Sequence, residues 1–419
     1  MSRWGVLRDR WFRRFWFAET VSETGGAALA VALPVLALDS LGASDAEWSY
    51  ISAARWVPYV VLGLVIGALV ERRRRRPVLV VTDLVRGVLL VSVPVLWWAD
   101  ALSLWTLGAV LVAFGTVTLG NDAASQSMVP RLVARHRLVE ANARLDQSAT
   151  VAGLLGQPVG GALARAFSAP AAVLVSAVGY LVSAALVWQV RVAEPPPPRD
   201  RLRWRPFVAD AADGLRWAYG HRMLRPLALS THVWFLCQGI AVTVLPLLAL
   251  NELGLNAFQL SLVFASAGMA GLVGALLAVP VGRTWGAGPT VAAARGLTAV
   301  AWGTVALTPA AGATAWDGVA WAALSVLVAG QALNGLAMGT ENANEMGYRQ
   351  AVTPDRLQSR TNSVLRSTNR AALLVGALLG GTVVVPLAGG YRGALWVAAA
   401  GFAVTAVGLA LSPFRRARH

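Results

Sequence analysis

The chain has 419 residues, of which 56% are hydrophobic and only 14% charged, against about 25% charged in ordinary soluble domains. That little polar surface excludes a water-soluble globular protein and leaves lipid to cover much of the exterior. The net charge of +15 comes from 36 basic residues, all arginine. They cluster between apolar runs and form no basic groove interleaved with aromatics, which argues against nucleic acid as a partner.

An apolar helix needs about twenty residues to cross the hydrocarbon core. In chain order, such runs lie at 15–38, 49–70, 78–98, 102–124, 143–164 and 168–190. Beyond a polar break, six more lie at 224–249, 257–281, 288–310, 317–341, 361–386 and 390–412. The pattern predicts an all-α membrane protein of twelve transmembrane helices and lacks the alternating segments of a β-barrel. The arginine-rich connections are the N-terminus, 71–77, 131–144, 191–225, 349–366 and the C-terminal Arg415, Arg416 and Arg418. The connections between them carry Asp39, Asp45 and Glu47, then Asp100, Arg165, Glu252, Asp317 and Arg392. By the positive-inside rule, this alternation places both termini in the cytoplasm of a multi-pass protein.

The 191–222 stretch opens with Pro195–Pro198 and continues with alternating Arg and Asp. Around Phe207, Val208, Ala211, Leu215 and Trp217 the apolar spacing predicts a short amphipathic helix at the membrane surface. It separates residues 1–190 from residues 223–419, and the two parts repeat one another. At an offset of 220, Gly115 matches Gly335, Asn142 matches Asn362, Leu145 matches Leu365 and Gly156 matches Gly376. In the same register Gly160–Gly161 matches Gly380–Gly381. Two pseudo-symmetric six-helix bundles follow, the plan of one large class of secondary transporters.

Enzyme chemistry has no foothold. The four histidines are scattered, Cys237 stands alone in an apolar run, and no metal-ligand spacing occurs. No glycine-lysine loop is present to cradle a nucleotide, so no cofactor is expected and an ion gradient is left as the energy source. The basic residues before the first apolar run lack a small-residue cleavage site, so that run reads as a retained helix.

The junction of the second and third helices reads GALVERRRRRP, Gly67 to Pro77. It resembles the signature loop of the major facilitator superfamily, with Gly67, Glu71, Arg72, Arg75 and Arg76 in its places. Glu71 stands where aspartate is usual, and Arg74 where glycine is usual. On the fifth helix Gly156, Pro158, Gly160 and Gly161 resemble the glycine-proline motif of the antiporter branch, with the proline displaced by one. The segments MVPRLVARHRLVEANARL and RQAVTPDRLQSRTNSVLRS are similar to the subgroup of drug and siderophore exporters that includes macrolide efflux proteins and the enterobactin exporter. The resemblance implies proton-coupled efflux of amphipathic small molecules or drugs by alternating access, in a bacterial cytoplasmic membrane, by a monomer. A dedicated exporter of a siderophore or other metabolite, or a lipid or nutrient carrier, is the alternative.

Charges inside the bilayer cost about 2.5–3.5 kcal/mol each on insertion scales, so each marks a candidate site. Glu19 and Glu23, four apart on the first helix, share a face, and Glu23 is the first choice for proton coupling or for a cationic substrate. Asp83 and Arg86, three apart on the third helix, can pair with each other or with the 71–76 turn. Arg55 on the second helix, with Gln238, Gln331 and Asn334 in the second half, completes the set of substrate or coupling candidates. Asp146 reads as an acid at the start of the fifth helix, where the helix dipole favours it.

Overall fold

In lipid an apolar run must satisfy its own backbone hydrogen bonds, and over the described residues each predicted run is mainly helical. The computed structural model describes residues 5–134, 137–192, 194, 204–309 and 317–417. The first half contains α1 (Arg10–Val35), α2 (Asp45–Ala54), α3 (Val57–Val61), α4 (Gly63–Glu71), α5 (Arg75–Trp98), α6 (Leu104–Leu132), α7 (Leu138–Ala166) and α8 (Ala169–Trp188). After α9 (Trp204–Gly220) follow α10 (Leu224–Pro246), α11 (Ala257–Trp285), α12 (Ala287–Ala306) and α13 (Asp317–Val352). The last are α14 (Asp355–Leu379), α15 (Val385–Leu387) and α16 (Tyr391–Leu411). Among the described residues, nine helices are long and apolar enough to cross a membrane. The other three predicted spans are the broken α2–α3–α4, the partly polar α7 and the Ala-, Gly- and Thr-rich α12.

Two expectations need correction. The second span is not one helix: it breaks around Arg55–Trp56 and again at Leu62. Pro58 brings no backbone N–H to that stretch, and Gly63 is a weak helix former. Asp146 does not begin a helix either, because α7 starts at Leu138. The polar turns before the membrane-length run continue the helix, and hydrophobic length alone does not detect them.

The contacts divide the chain into two units. The first comprises Met1–Ala43, Ala54–Leu202 and Asn256–Ser261. In it α1 packs on α7 and α8, and α5 packs on α6 and α8. Its apolar core includes Phe12, Phe15, Leu79, Ala124, Met128 and Val187. The second unit comprises Ser44–Ala53, Arg203–Leu255 and Leu262–His419. In it α12 packs on α13 and α16, and α10 on α14 and α16. The Trp48 indole donates to the Thr243 carbonyl at 2.8 Å, and the Gly381 N–H donates to Ser49 Oγ at 2.9 Å.

Helix α9 belongs to the second unit and packs on α14, where Arg360 reaches Asp213 at 3.1 Å. Pro195–Pro198 and the side chains of Phe207, Val208 and Ala211 lie outside the described residues.

The structure also exposes a repeat at a second offset. Leu33-Pro34-Val35-Leu36-Ala37-Leu38 recurs as Leu245-Pro246-Leu247-Leu248-Ala249-Leu250, 212 residues on (245 − 33). In both copies the helix widens into a π turn, at Leu36–Ser40 and Leu247–Glu252. Both then close on a glycine of positive φ, 63° at Gly42 and 62° at Gly254, a conformation that side-chain-bearing residues rarely adopt. Pro77 and Pro289 share this offset. The later helices follow the offset of 220, so eight residues (220 − 212) enter the second half between α12 and the middle of α13.

Candidate functional site

The first unit is organised around Asp83 and Arg86, 2% and 4% exposed on α5. They sit three apart, hence on one face, and form an ion pair with each other; among the described residues neither pairs with the 71–76 turn. The remaining lone pairs of Asp83 are used by neighbours. Ser183 Oγ on α8 donates to Oδ2 at 2.7 Å, and Asn121 Nδ2 on α6 donates to Oδ1 at 3.1 Å. The Arg86 guanidinium lies over the Tyr180 ring, 4.3 Å from its centroid. A buried charge is tolerated only when paired and hydrogen-bonded in this way.

Glu19 and Glu23 rise from α1 toward that hub. Glu19 is half-buried and within electrostatic reach of Asp83, Arg86 and Glu23. Glu23 is exposed although it lies in the middle of the Arg10–Ser40 span, and it faces Asp122 and Arg86. An exposed carboxyl at that depth needs a water-filled path beside it. Asp122 accepts from the Tyr59 hydroxyl at 2.8 Å, Tyr59 packs against Trp56, and the Arg55 guanidinium lies 4.8 Å from the Trp56 ring centroid. The first unit thus gathers Glu19, Glu23, Asp83 and Arg86, with Arg55 linked through aromatic rings.

The second unit has its own hub. Arg295 on α12 is 0% exposed. Its Nε donates to Glu341 at 2.7 Å, and its terminal nitrogens reach Glu345 at 3.0 Å, Thr231 at 2.7 Å and Ser230 at 2.5 Å. Near it on α10, His232 is hydrogen-bonded to Asn369 at 2.6 Å and to the Tyr219 hydroxyl at 2.7 Å. The amides predicted for this half differ in kind. Gln331 and Asn334 on α13 are each 4% exposed, and Gln238 on α10 is half-buried. Among the described residues, Gln238 Oε1, Gln331 Nε2 and Asn334 Oδ1 are buried without a hydrogen-bond partner. A native fold seldom leaves such atoms unpaired, and a ligand is one way to satisfy them.

Of the signature loop, Gly67 and Glu71 lie on α4, and the Glu71 side chain is outside the described residues. Arg72 is half-buried at the end of α4. Among the described residues, Glu194 meets this turn and accepts from the backbone N–H groups of Arg75 at 2.5 Å and Arg76 at 3.0 Å. On α7 the glycine motif marks close helix approach. A Cβ at Gly156 would overlap the Thr24 carbonyl and Ala27, one at Gly160 would overlap the Ala28 backbone, and one at Gly161 would overlap Ala257 and Ser261. Pro158 lies within an unbroken helix.

Sequence reasoning missed Asn121, Asp122, Tyr180, Ser183, Glu341, Glu345 and His232. The repeat contained a signal for some of them. Asp83 plus 212 is Arg295, and Asn121 plus 220 is Glu341. Equivalent places on equivalent helices therefore meet in both halves, with an acid on α5 and a base on α12.

The sequence profile described as Major Facilitator Superfamily matches residues 15–326. The multidrug efflux pump Tap of Mycobacterium tuberculosis (strain ATCC 25618 / H37Rv) is 26% identical over 221 residues, 51% of this chain and 52% of that protein. An uncharacterized MFS-type transporter of Bacillus subtilis (strain 168), YvqJ, is 24% identical over 180 residues, 42% of this chain and 43% of its own. The chain thus spans about half the length of the curated relatives it matches. Among solved structures, the nucleoside transporter NupG superposes with a TM-score of 0.71 at 11% identity, covering 95% of this chain and 98% of NupG. A bacterial homologue of the iron transporter ferroportin gives 0.70 at 15% identity, covering 98% of both chains. With the profile covering most of the chain and the fold shared almost end to end, this multi-pass membrane protein belongs to the major facilitator superfamily, whose members are secondary transporters of small molecules and not enzymes.

Proposed function

We propose that this transporter exports amphipathic small molecules in exchange for protons, as a multidrug-type efflux protein of a bacterial plasma membrane with both termini in the cytoplasm. The observation that carries the reading is Glu23. It is an exposed carboxyl halfway along a 31-residue span, one turn from Glu19, facing Asp122 and the Arg86 guanidinium. Such a group can take up and release a proton through water, and a change in its charge is felt at once by the Asp83–Arg86 hub.

Three unpartnered amide groups and the buried Trp234 in the second unit suit a substrate that is largely apolar with a few polar atoms. The partial similarity to Tap supports efflux as the direction. Proton and substrate can drive alternating access only by binding the two states differently, and a carboxyl that is neutral in one state and charged in the other provides that difference.

The test is ethidium efflux from proteoliposomes under an imposed pH gradient. The wild type is expected to respond to the gradient and to lose the response with a protonophore. Glu23→Gln is expected to bind ethidium but not to respond; gradient-driven efflux by that variant would remove Glu23 as the coupling group.

A further inference from the structure

One strongly charged feature takes no part in the transport reading. Arg10, Trp11, Arg14, Arg76, Trp188 and Arg191, with Gln189, line a cleft of about 490 Å³ on the first unit. Three helix ends build it. Arg10 and Arg14, four apart at the start of α1, share one face with Trp11 between them. Their guanidinium carbons lie 4.0 Å and 5.4 Å from the Trp11 ring centroid, so the indole orders both. Arg76, in the first turn of α5, donates to the Trp188 carbonyl at the end of α8. Arg191 follows three residues later and is exposed.

The charge in this cleft is uncompensated. Among the described residues, none of the four guanidiniums has a carboxylate within ion-pair distance. The nearby acids are engaged elsewhere: Asp9 accepts from the backbone N–H groups of Trp11 and Phe12, Glu194 from those of Arg75 and Arg76, and Glu140 from that of Val6. Four cations around one concavity repel one another until an anion enters. Arginine is the side chain whose planar fork matches phosphate oxygens.

The location identifies the source of the phosphate. Membrane-spanning segments begin at Arg10 and Arg75 and end at Trp188, so the cleft opens where hydrocarbon gives way to water. Trp188 is 65% exposed there, and exposed tryptophans settle at headgroup depth. We propose that this cleft is a binding site for the phosphodiester headgroup of an anionic phospholipid, with Arg10, Arg14, Arg76 and Arg191 on the phosphate and the Trp11 and Trp188 rings against the glycerol and upper acyl chains. The site is distinct from the Glu19–Glu23–Asp83 region, and the proposal does not depend on which cargo the protein carries.

The test is native mass spectrometry of the full chain in detergent, titrated with phosphatidylglycerol or with phosphatidylethanolamine of the same acyl chains. Phosphatidylglycerol is expected to be retained more tightly. Arg14→Gln and Arg191→Gln, neither of which removes a hydrogen bond within the described residues, are each expected to weaken it about fivefold. Arg415→Gln with Arg416→Gln removes exposed charge on the second unit and is expected to change it less than about twofold. Equal retention of the two lipids, or equal loss in the control pair, would overturn the proposal. Displacement of the lipid by millimolar inorganic phosphate would reassign the cleft to a soluble anion. A symmetric gel-filtration peak for each variant separates lost binding from lost fold.

Discussion

Nε of Arg295 donates to Oε1 of Glu341 at 2.7 Å, and the two side chains are 0% and 7% exposed. The pair joins α12 to α13, while Ser230 and Thr231 on α10 take the other nitrogens of Arg295. Removing one partner of such a pair leaves an uncompensated buried charge. Arg295 keeps Glu345 if Glu341 is lost, whereas Arg295→Met leaves the buried Glu341 without its counter-ion and is therefore expected to cost about 3–5 kcal/mol, read as a lower melting temperature of the purified protein. Replacing Arg295, Glu341 and Glu345 together by Met and Leu is expected to recover most of that loss. A single variant that melts like the wild type would show the pair to be dispensable.

In the first unit the equivalent hub is held by neutral donors. Ser183→Ala removes the 2.7 Å hydrogen bond to Asp83 and leaves the ion pair with Arg86 in place. The expected cost is about 1.5–3 kcal/mol, the range for hydrogen bonds to a charged group. Chemical denaturation in mild detergent measures it, and Ser183→Thr should retain most of the stability.

Two glycines of α7 should respond in opposite directions. At Gly160 a side chain would meet the Ala28 backbone, and Gly160→Leu is expected to cost about 1–3 kcal/mol by overpacking. At Gly153 a Cβ meets nothing within 4 Å, so Gly153→Ala is expected to stabilise by about 0.5–1 kcal/mol. Similar melting temperatures for the two variants would contradict the packing.

The N-terminal turn carries a pH dependence. Glu140, in the first turn of α7 ahead of the predicted span, accepts from the Val6 N–H at 2.7 Å. That hydrogen bond, with Arg137 adding to it, holds the carboxyl below the ordinary carboxylate range. A depressed folded value means that the contribution is present above the unfolded value and fades as pH falls through the folded one. The protection of the Val6 amide, its exchange rate relative to the intrinsic rate at the same pH, should therefore be high at neutral pH and fall in acid, and Glu140→Gln should flatten the change.

The unpartnered amides give a prediction that couples stability to transport. Asn334→Leu removes a buried oxygen that has no donor, and is expected to stabilise the protein by about 1 kcal/mol or leave it neutral. If the amide meets substrate, the same change should raise the substrate concentration needed for half-maximal efflux. A variant both less stable and fully active would assign Asn334 a structural role.

The sequence by itself determined where lipid must be. Runs of apolar residues have one way to satisfy their backbone in hydrocarbon, and charges in such runs are rare enough to count, so the spans and Glu19, Glu23, Asp83 and Arg86 were legible. The glycine register at 220 showed that one plan is used twice. Tertiary structure decided which charges meet. Asp83 had two candidate partners and took Arg86, because α6 and α8 bring Asn121 and Ser183 to its other lone pairs. Glu341 and Glu345 lie in a polar stretch of α13, and only the approach of α12 made them the counter-ions of Arg295. The arginine cleft was hidden for the same reason: it depends on residues far apart in sequence, and hydrophobic length and local spacing carry no information about which helices touch. The broken second span and the extension of α7 were hidden because hydrophobic length registers neither the break at Pro58 and Gly63 nor helical turns made of polar residues.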